Sequence, residues 1–198
     1  MYKFLLMSIT LSALILMGCA FGSILNISSN DIDNEINIIP NSSFERSHNE
    51  IQNHPERWFV LSDQKELIRL DSEESRSGCS SVLIDNPQNR ITLVSDAFEL
   101  DPTCVYYSRC FVKSEELTAK PLKLYLFAFN ENGERVNTFG KEVYSDLDWA
   151  KIDFTSGFFK SNAKVGRIAI TIPDEQENSF WVDDAESYKM HRFAFSQE

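Results

Sequence analysis

Two stretches of this sequence place aromatic rings and cationic side chains at alternate positions. Residues 104–114 and 121–130 each read as a β-strand, in which successive side chains point to opposite faces. One face of the second strand is aliphatic and suits a core. Sugar rings stack their C–H faces on aromatic rings and need fixed polar partners for their hydroxyls. The opposite, ring-bearing face is therefore a candidate sugar platform, formed by Tyr107, Arg109, Phe111, Tyr125, Phe127 and Phe129.

The same rings have a second interpretation. Both faces of these strands would be covered in a two-sided sandwich, and the rings would then belong to its core. Two tryptophans bear on this choice: Trp58 is expected in the core, whereas Trp149, which opens a later strand after a turn, is a further candidate for stacking on a ligand. Exposure of the rings decides between the two interpretations.

The sequence lacks the residue patterns of several common catalytic sites. The Glu-x-Asp-x-x-Glu run of sandwich glycosidases does not occur, and the three histidines stand too far apart for zinc-site spacing. Asp183 and Asp184 are adjacent, but neighbours in a strand face opposite ways. Tyr107 and Arg109 would suit a polyuronate lyase, as proton donor and carboxylate ligand, but no other residue supports that activity. We therefore expect a protein without catalytic residues.

The chain of 198 residues carries a net charge of −11. Nucleic acids and anionic membrane surfaces repel such a chain, so we expect neither as a partner. The length suits one domain that is large enough to bury a core without disulfide or metal staples.

The first 18 residues read as a secretory signal. A basic start precedes an uncharged apolar run that is shorter than the roughly 20 residues of a membrane-spanning helix. Residues 16–19, Leu-Met-Gly-Cys, resemble the bacterial lipobox, which implies cleavage before Cys19 and lipidation of its thiol; a conventional signal peptide is the alternative. Residues 19–35 then form a flexible tether. The protein is expected in the cell envelope, extracytoplasmic and lipid-anchored, at the outer membrane if the organism is Gram-negative.

Three further cysteines remain once Cys19 is assigned to lipid. Outside the cytoplasm two of them can pair, and Cys79 and Cys104 would lie at the same end of a meander of strands. A Cys79–Cys104 disulfide is therefore a hypothesis. Cys110 falls on the inner face of its strand and is expected to be a buried free thiol.

The chain reads as about ten short strands separated by turn signals, with no sustained apolar pattern at helical spacing. No connection is long enough for a helical crossover, which implies antiparallel order. The sequence predicts an all-β fold, an antiparallel β-sandwich or barrel over residues 36–190 followed by a short tail at 191–198. The predicted strands are 36–39, 58–62, 66–70, 81–85, 91–100, 104–114, 121–130, 135–144, 149–159, 165–172 and 179–190.

Several short motifs occur in an order that resembles a known family. They are Asn-Ser-Ser-Phe-Glu at 41–45 followed by Pro55 and Trp58, Ser-Gly at 77–78 before a strand, the segment 106–113, and Phe-Trp-Val-Asp-Asp-Ala at 180–185. Together they resemble galactose-binding-like jelly rolls, in particular carbohydrate-binding modules of families four, nine, sixteen and twenty-two. The resemblance covers nearly the whole predicted domain.

The resemblance implies a structural calcium ion between the first and last strands. Carried over to this sequence, its ligands would be Glu45, Asp183 or Asp184, and backbone oxygens around residues 75–77. Calcium requires several hard oxygen donors, which carboxylates and carbonyls supply. The alternative is that these acids are solvated turn residues.

The resemblance also implies a function: a non-catalytic, carbohydrate-binding lipoprotein that holds a glycan on the aromatic face of a sheet. The alternative is an envelope lipoprotein that uses the same sandwich to dock another protein or as a structural module. A polysaccharide-degrading enzyme is less favoured. The expected partners are a glycan or an envelope protein, together with the membrane through the lipid anchor.

Overall fold

The computed structural model describes residues 27, 29–48, 53–174 and 177–192. Residues 1–34 and 35–198 form two separate units. In the first unit, Ser29–Ile32 forms a 3-10 helix. The predicted signal peptide and the lipidation site Cys19 lie outside the described residues. No helix among the described residues combines the length and the apolar character needed to cross a membrane.

The described residues of the second unit form eleven strands and a 3-10 helix at Lys65–Leu67. Most predicted strands are confirmed within a few residues. The segment 91–100 divides into two strands, and the segment 36–39 makes a single bridge, Asn37 to Tyr188, instead of a strand. The strands are β1 Trp58–Leu61, β2 Ile68–Asp71, β3 Ser81–Ile84, β4 Ile91–Ser95, β5 Phe98–Glu99, β6 Cys104–Ser114, β7 Leu122–Phe129, β8 Arg135–Val143, β9 Ala150–Thr155, β10 Val165–Ile172 and β11 Phe180–Arg192.

The strands form two antiparallel sheets, as predicted for a β-sandwich. A six-stranded sheet has the order β1-β4-β10-β7-β8, with β5 also paired to β10. A five-stranded sheet has the order β2-β3-β11-β6-β9. The described residues of both sheets pair antiparallel throughout.

Alternate residues of each strand fill the space between the sheets. The predicted aliphatic face of β7 is fully buried, and it packs in the same core as the inward residues of β6 and β10. Burial of these large apolar side chains is the main favourable term in folding. The inward residues of the three strands are Leu122, Leu124, Leu126, Ala128, Tyr106, Cys110, Val112, Ile168, Ile170 and Ile172.

The motif at residues 41–45 acts as a structural corner. The Asn41 side chain donates hydrogen bonds to the backbone oxygens of Arg46 and Glu56 at 2.9 and 2.8 Å. Phe44 is fully buried, with its ring centroid 5.0 Å from that of Trp58. The Trp58 indole N–H donates to the Asn41 carbonyl oxygen at 3.2 Å. The expectation that Trp58 belongs to the core is therefore confirmed.

Two predictions are wrong: the single face shared by the strands at 104–114 and 121–130, and the Cys79–Cys104 disulfide. The strands β6 and β7 follow each other along the chain but lie in different sheets, because residues 115–121 carry the chain across the sandwich. Cys79 and Cys104 are free cysteines rather than a disulfide: Cys79 is exposed before β3, whereas Cys104 is buried at the start of β6. Cys110 is a buried free thiol, as predicted, and burial raises its pKa.

Candidate functional site

The outer face of the six-stranded sheet carries an ordered row of side chains. Residues that pair directly across antiparallel strands point to the same side of the sheet. The pairs Phe59 to Val94, Val94 to Ala169, Ala169 to Tyr125, and Tyr125 to Gly140 connect five strands in one line. Val94 and Ala169 are small and buried, whereas Phe59 is 51% exposed. The rings of Phe59 and Tyr125 therefore rise on either side of the short side chains of Val94 and Ala169, and together they form a shallow trough across the outer face of the sheet.

Gly140 lets the ring of Tyr125 lie over the edge strand β8. A Cβ atom at position 140 would come within 2.4 Å of Tyr125 Cδ1 and 2.5 Å of the Leu124 carbonyl oxygen. The ring of Phe127 stacks beside that of Tyr125, with centroids 5.4 Å apart and planes inclined by 18°. The two half-buried rings thus present one continuous apolar surface.

Two arginines lie among the rings at one end of the trough. The guanidinium carbon of Arg135 is 5.0 Å from the Phe127 ring centroid, and that of Arg167 is 5.6 Å from the Phe59 centroid. Arg167 Nη1 also donates to the Ser95 carbonyl oxygen at 2.7 Å. These side chains border a cleft of about 660 Å³, which we call the ring cleft. The residues that line it are Phe59, Leu61, Val94, Phe127, Phe129, Gly133, Arg135 and Arg167.

The turn after β7 closes this end of the ring cleft. The Asn130 side-chain oxygen accepts hydrogen bonds from the N–H groups of Asn132 and Glu134 at 3.0 and 2.9 Å. Gly133 adopts φ +77°, a left-handed conformation that favours glycine. The turn also borders an adjoining cavity of about 490 Å³, which shares Phe129, Gly133 and Arg167 with the ring cleft and adds Lys164 and Glu131. The described site is therefore open, elongated and rich in rings and cations.

The predicted platform residues are divided between the two sheets. Tyr125, Phe127 and Phe129 lie on the outer face of the six-stranded sheet. Tyr107, Arg109 and Phe111 lie on β6, on the outer face of the five-stranded sheet. The prediction of one shared face is wrong, because β6 and β7 do not pair with each other.

The set on β6 is engaged by the protein itself. Tyr107 is 1% exposed, and its hydroxyl donates to Asp153 Oδ2 at 2.8 Å. Arg109 forms an ion pair with Glu186. Its pKa is raised: burial lowers it, but the hydrogen bond and charge of Glu186 outweigh that effect. Phe111 is 9% exposed because the guanidinium of Arg76 lies 3.4 Å from its ring centroid.

Trp149 lies at neither end of the ring cleft. It is half-buried and directly precedes β9, the edge strand of the five-stranded sheet. The structure therefore groups three of the seven predicted ligand residues, Tyr125, Phe127 and Phe129, and separates the remaining four from them.

The three acids predicted to hold calcium all accept hydrogen bonds from other groups of the protein. Glu45 Oε1 accepts from the backbone N–H groups of Cys79 and Ser80 at 2.9 and 3.2 Å. Asp183 Oδ2 accepts from the N–H groups of Arg76 and Ser77 at 2.9 and 3.1 Å. The predicted arrangement needs carbonyl oxygens around residues 75–77, and the backbone at 76 and 77 presents N–H groups instead.

Arg76 supplies a positive charge at this position. Its guanidinium pairs with Asp184, whose other carboxylate oxygen accepts from the Ser77 hydroxyl at 2.8 Å. The pKa of Asp183 is raised to about 6: burial raises it most, the Ser77 N–H lowers it, and the charge of Asp184 raises it. Among the described residues, no group of three acidic, histidine or cysteine side chains is arranged to hold a metal ion. These acids are therefore held by N–H groups and by Arg76 as the chain is placed, and the calcium site stays a prediction.

The predicted ligand residues did not include several that line the ring cleft. Phe59 follows Trp58, and because Trp58 points into the core, strand alternation places Phe59 outward. Arg135 follows the turn that closes β7 and pairs across strands with Phe129. Arg167 pairs directly with Phe127, but that contact depends on the register of β10 and has no local signal.

Comparisons by sequence do not place this chain in a family. No protein-family model matches the sequence, and no curated protein matches it.

Comparisons of the structure identify the fold. An enzymatically active domain of tailspike protein 4 from bacteriophage CBA120 superposes with a TM-score of 0.60 at 10% identity, over 78% of this chain and 22% of the tailspike chain. This chain thus spans less than a quarter of that protein.

Carbohydrate-binding modules match over their whole length. The module TmCBM61, solved in complex with β-1,4-galactotriose, gives a TM-score of 0.53 at 16% identity over 78% of this chain and 99% of its own. A family 22 carbohydrate-binding module of Clostridium thermocellum Xyn10B gives 0.53 at 14% identity over 84% and 99%. The fold of residues 35–192 is therefore a β-sandwich jelly roll of the kind found in carbohydrate-binding modules.

Proposed function

We propose that this protein binds a glycan in the ring cleft and does not modify it chemically. The observation that carries the proposal is the row of outward rings over a floor of small residues, with Tyr125 and Phe127 forming one stacked surface. Aromatic faces attract the C–H faces of sugar rings, and open clefts of this shape accommodate a chain rather than a single small molecule. The jelly-roll fold shared with carbohydrate-binding modules is consistent with this function.

Polar groups beside the rings would hold the sugar hydroxyls. Arg135 and Arg167 extend guanidinium donors into the ring cleft, and Lys123 and Thr138 flank the rings of Tyr125 and Phe127 on the same face. Fixed polar groups near a stacking surface provide specificity that the rings alone do not.

The site offers little for catalysis. Of the described residues that line the ring cleft and its adjoining cavity, Glu131 is the one carboxylate, whereas glycoside hydrolysis ordinarily needs two. Tyr107 and Arg109, which would suit a lyase, lie on the other sheet and are engaged by Asp153 and Glu186. A binding role therefore accounts for the arrangement better than an enzymatic one.

Glycan binding is tested by affinity electrophoresis and a glycan array with the wild-type protein and two single variants. Tyr125→Ala and Phe127→Ala remove the stacking surface without touching the core, so we expect retardation by a bound glycan to be lost while the fold is kept. Tyr107→Phe is the matched control, since it alters a ring on the opposite sheet. Absence of any glycan signal with the wild-type protein would contradict the proposal.

A second candidate function is docking of an envelope protein. The observation that favours it is the exposure of two apolar side chains on the edge strand β1, Phe59 at 51% and Leu61 at 63%. Exposed apolar patches often mark protein interfaces. A null glycan array combined with capture of an envelope protein that depends on Phe59 would favour this function over sugar binding.

We further propose that the protein is tethered to a membrane by a lipid on Cys19, outside the cytoplasm. The support is the lipobox-like sequence at residues 16–19 after a short apolar run. Metabolic labelling with an alkyne-bearing fatty acid should label the wild-type protein and not the Cys19→Ser variant. Equal labelling of the two proteins, or none, would contradict the anchor.

A further inference from the structure

The arginines among the described residues fall into two groups, those that form an ion pair and those that do not. Five of them pair with a carboxylate. The five pairs are Arg46–Glu56, Arg57–Asp96, Arg69–Asp85, Arg76–Asp184 and Arg109–Glu186. Pairing is the expected state in a chain with an excess of acids and a net charge of −11.

Arg135 and Arg167 have no such partner within the described residues. Their guanidinium groups contact the rings of Phe127 and Phe59 and the Ser95 carbonyl oxygen. Arg90, exposed before β4, also lacks an ion pair within the described residues, but it does not line the ring cleft. The two arginines of the ring cleft are therefore the cations that an acidic protein leaves uncompensated at its candidate site.

The guanidinium groups of Arg135 and Arg167 are placed so that they could bind a carboxylate or sulfate group carried by a sugar. Arg167 uses one donor on Ser95 and keeps the others for a ligand, since a guanidinium has five N–H donors in a planar fork. Such a fork binds carboxylate or sulfate oxygens in bidentate fashion. Lys164, exposed in the adjoining cavity, adds a third positive charge, and Glu131 there is the opposing acid.

We propose that the ring cleft selects an acidic glycan, one whose sugar units carry a carboxylate or a sulfate. A ring of the glycan stacks on Phe127 or Phe59, and the anionic group lies between Arg135 and Arg167. This inference rests on the proposed glycan-binding function and narrows its ligand class. A neutral glycan would offer these guanidinium groups hydroxyl hydrogen bonds alone, whereas a carboxylate or sulfate would also balance their positive charge.

The test uses pairs of oligosaccharides that differ in charge. Oligogalacturonate and its carboxyl-reduced neutral form are compared by calorimetry, with a chondroitin sulfate oligosaccharide as the sulfated probe. We expect an acidic probe to bind at least about tenfold more tightly than the neutral one, and the preference to shrink at high salt because screening weakens charge pairs. The double variant Arg135→Gln/Arg167→Gln should lose this preference while keeping weak, ring-dependent binding.

One control variant and the pattern of binding distinguish a preference for acidic glycans from glycan binding in general. Arg69→Gln removes a paired arginine from the other sheet and should leave all affinities unchanged. Equal binding of charged and neutral probes, or binding of neutral glycans alone, overturns the acidic specificity and leaves glycan binding intact. Binding of the sulfated probe alone supports the proposal and identifies the anion as sulfate. Failure of every acidic and neutral glycan to bind overturns both proposals.

Discussion

The two outer faces of this sandwich begin from similar sequence patterns and end in opposite states. On the five-stranded sheet, Tyr107 and Phe111 are buried, and Arg109 is paired with Glu186. On the six-stranded sheet, Phe127 and Phe129 remain half-exposed, and Arg135 has a ring for its neighbour instead of a carboxylate. One face is closed by the protein's own groups, and the other is left open.

The difference arises from what covers each face. The loop between β2 and β3 reaches over β6 and β11 and brings Arg76 onto Phe111 and Asp184. The face of β7 and β10 carries the ring cleft, which is lined by rings and by Arg135 and Arg167. Polar groups that are satisfied within the protein stabilise it, whereas those left unsatisfied at a surface are available to a ligand.

The largest expected effect is on the stability of the closed face. Arg76→Met removes the positive charge beside the buried carboxylate of Asp184 and the guanidinium that covers Phe111, so we expect a loss of about 3 kcal/mol in the free energy of unfolding. Urea unfolding measures it. The matched control is Arg69→Met, whose ion pair with Asp85 is about half-exposed and should cost less than about 1 kcal/mol.

A second substitution tests the cause of that loss. Adding Asp184→Asn to Arg76→Met removes the uncompensated charge, and we expect it to restore part of the lost stability. If the two charges do not interact, the two losses will simply add: Asp184→Asn will destabilise the Arg76→Met variant as much as it destabilises the wild-type protein. That result would contradict the explanation.

The next effect is a pH dependence on the closed face. Because burial raises the pKa of Asp183 to about 6 from an ordinary value of 3.8, the folded chain holds this proton between about pH 4 and 6 while the unfolded chain has lost it. The contribution is fully present below about pH 4 and is lost as the pH rises through 6, by roughly 3 kcal/mol.

The comparison that reveals this contribution is between the wild-type protein and Asp183→Asn. Their difference in unfolding free energy should change in favour of the wild-type protein as the pH falls from 7 to 4. A change in the opposite direction would mean that the N–H groups of Arg76, Ser77 and Asp184, which all donate to this carboxylate, lower its pKa instead.

A smaller effect is expected on the open face, and it concerns binding. Phe127→Ala removes one of the two stacked rings, which we expect to weaken a bound glycan about tenfold, or about 1.4 kcal/mol, while leaving stability nearly unchanged. Calorimetric titration measures the affinity. Tyr107→Phe should bind like the wild-type protein, and equal weakening by both substitutions would contradict the assignment of separate roles to the two faces.

The smallest expected effect on glycan affinity comes from Gly140, the residue of β8 over which the Tyr125 ring lies. Gly140→Ala places a methyl group 2.4 Å from Tyr125 Cδ1 and 2.5 Å from the Leu124 carbonyl oxygen, so the Tyr125 ring must move away from β8 and the paired backbone of β7 and β8 must shift, which also lowers stability. We expect a few-fold weaker glycan affinity, since the ring remains but its angle changes, and a shift in the near-ultraviolet circular dichroism of Tyr125. The replacement Gly133→Ala is a useful contrast, because no atom lies near a Cβ there and its cost comes from the positive φ.

Much of the fold could be predicted from the sequence because alternation in a strand is a local signal. The inward Leu122, Leu124 and Leu126 and the end of β10 before Pro173 follow from neighbouring residues alone. The sequence could not predict that the rings of β6 and β7 lie on different sheets. The two strands are consecutive, and consecutive strands are ordinarily neighbours in one sheet.

The candidate site was less predictable for the same physical reason. Arg167 contacts Phe59 across 108 positions of the sequence, and this contact depends on the register of three strands. The calcium prediction came from the family resemblance, carried over to Glu45, Asp183 or Asp184 and the backbone oxygens around residues 75–77. It could not anticipate that Arg76 and backbone N–H groups would satisfy these acids.

The most direct test of the open face is nuclear magnetic resonance of the backbone amides during titration with a glycan. The probes are β-1,4-galactotriose and an oligogalacturonate, one neutral and one acidic. We predict that shifts concentrate on β1, β7, β10 and the 130–134 turn, with β6, β9 and β11 unchanged. Shifts centred on Tyr107 and Arg109, or none with either probe, would contradict glycan binding on the open face.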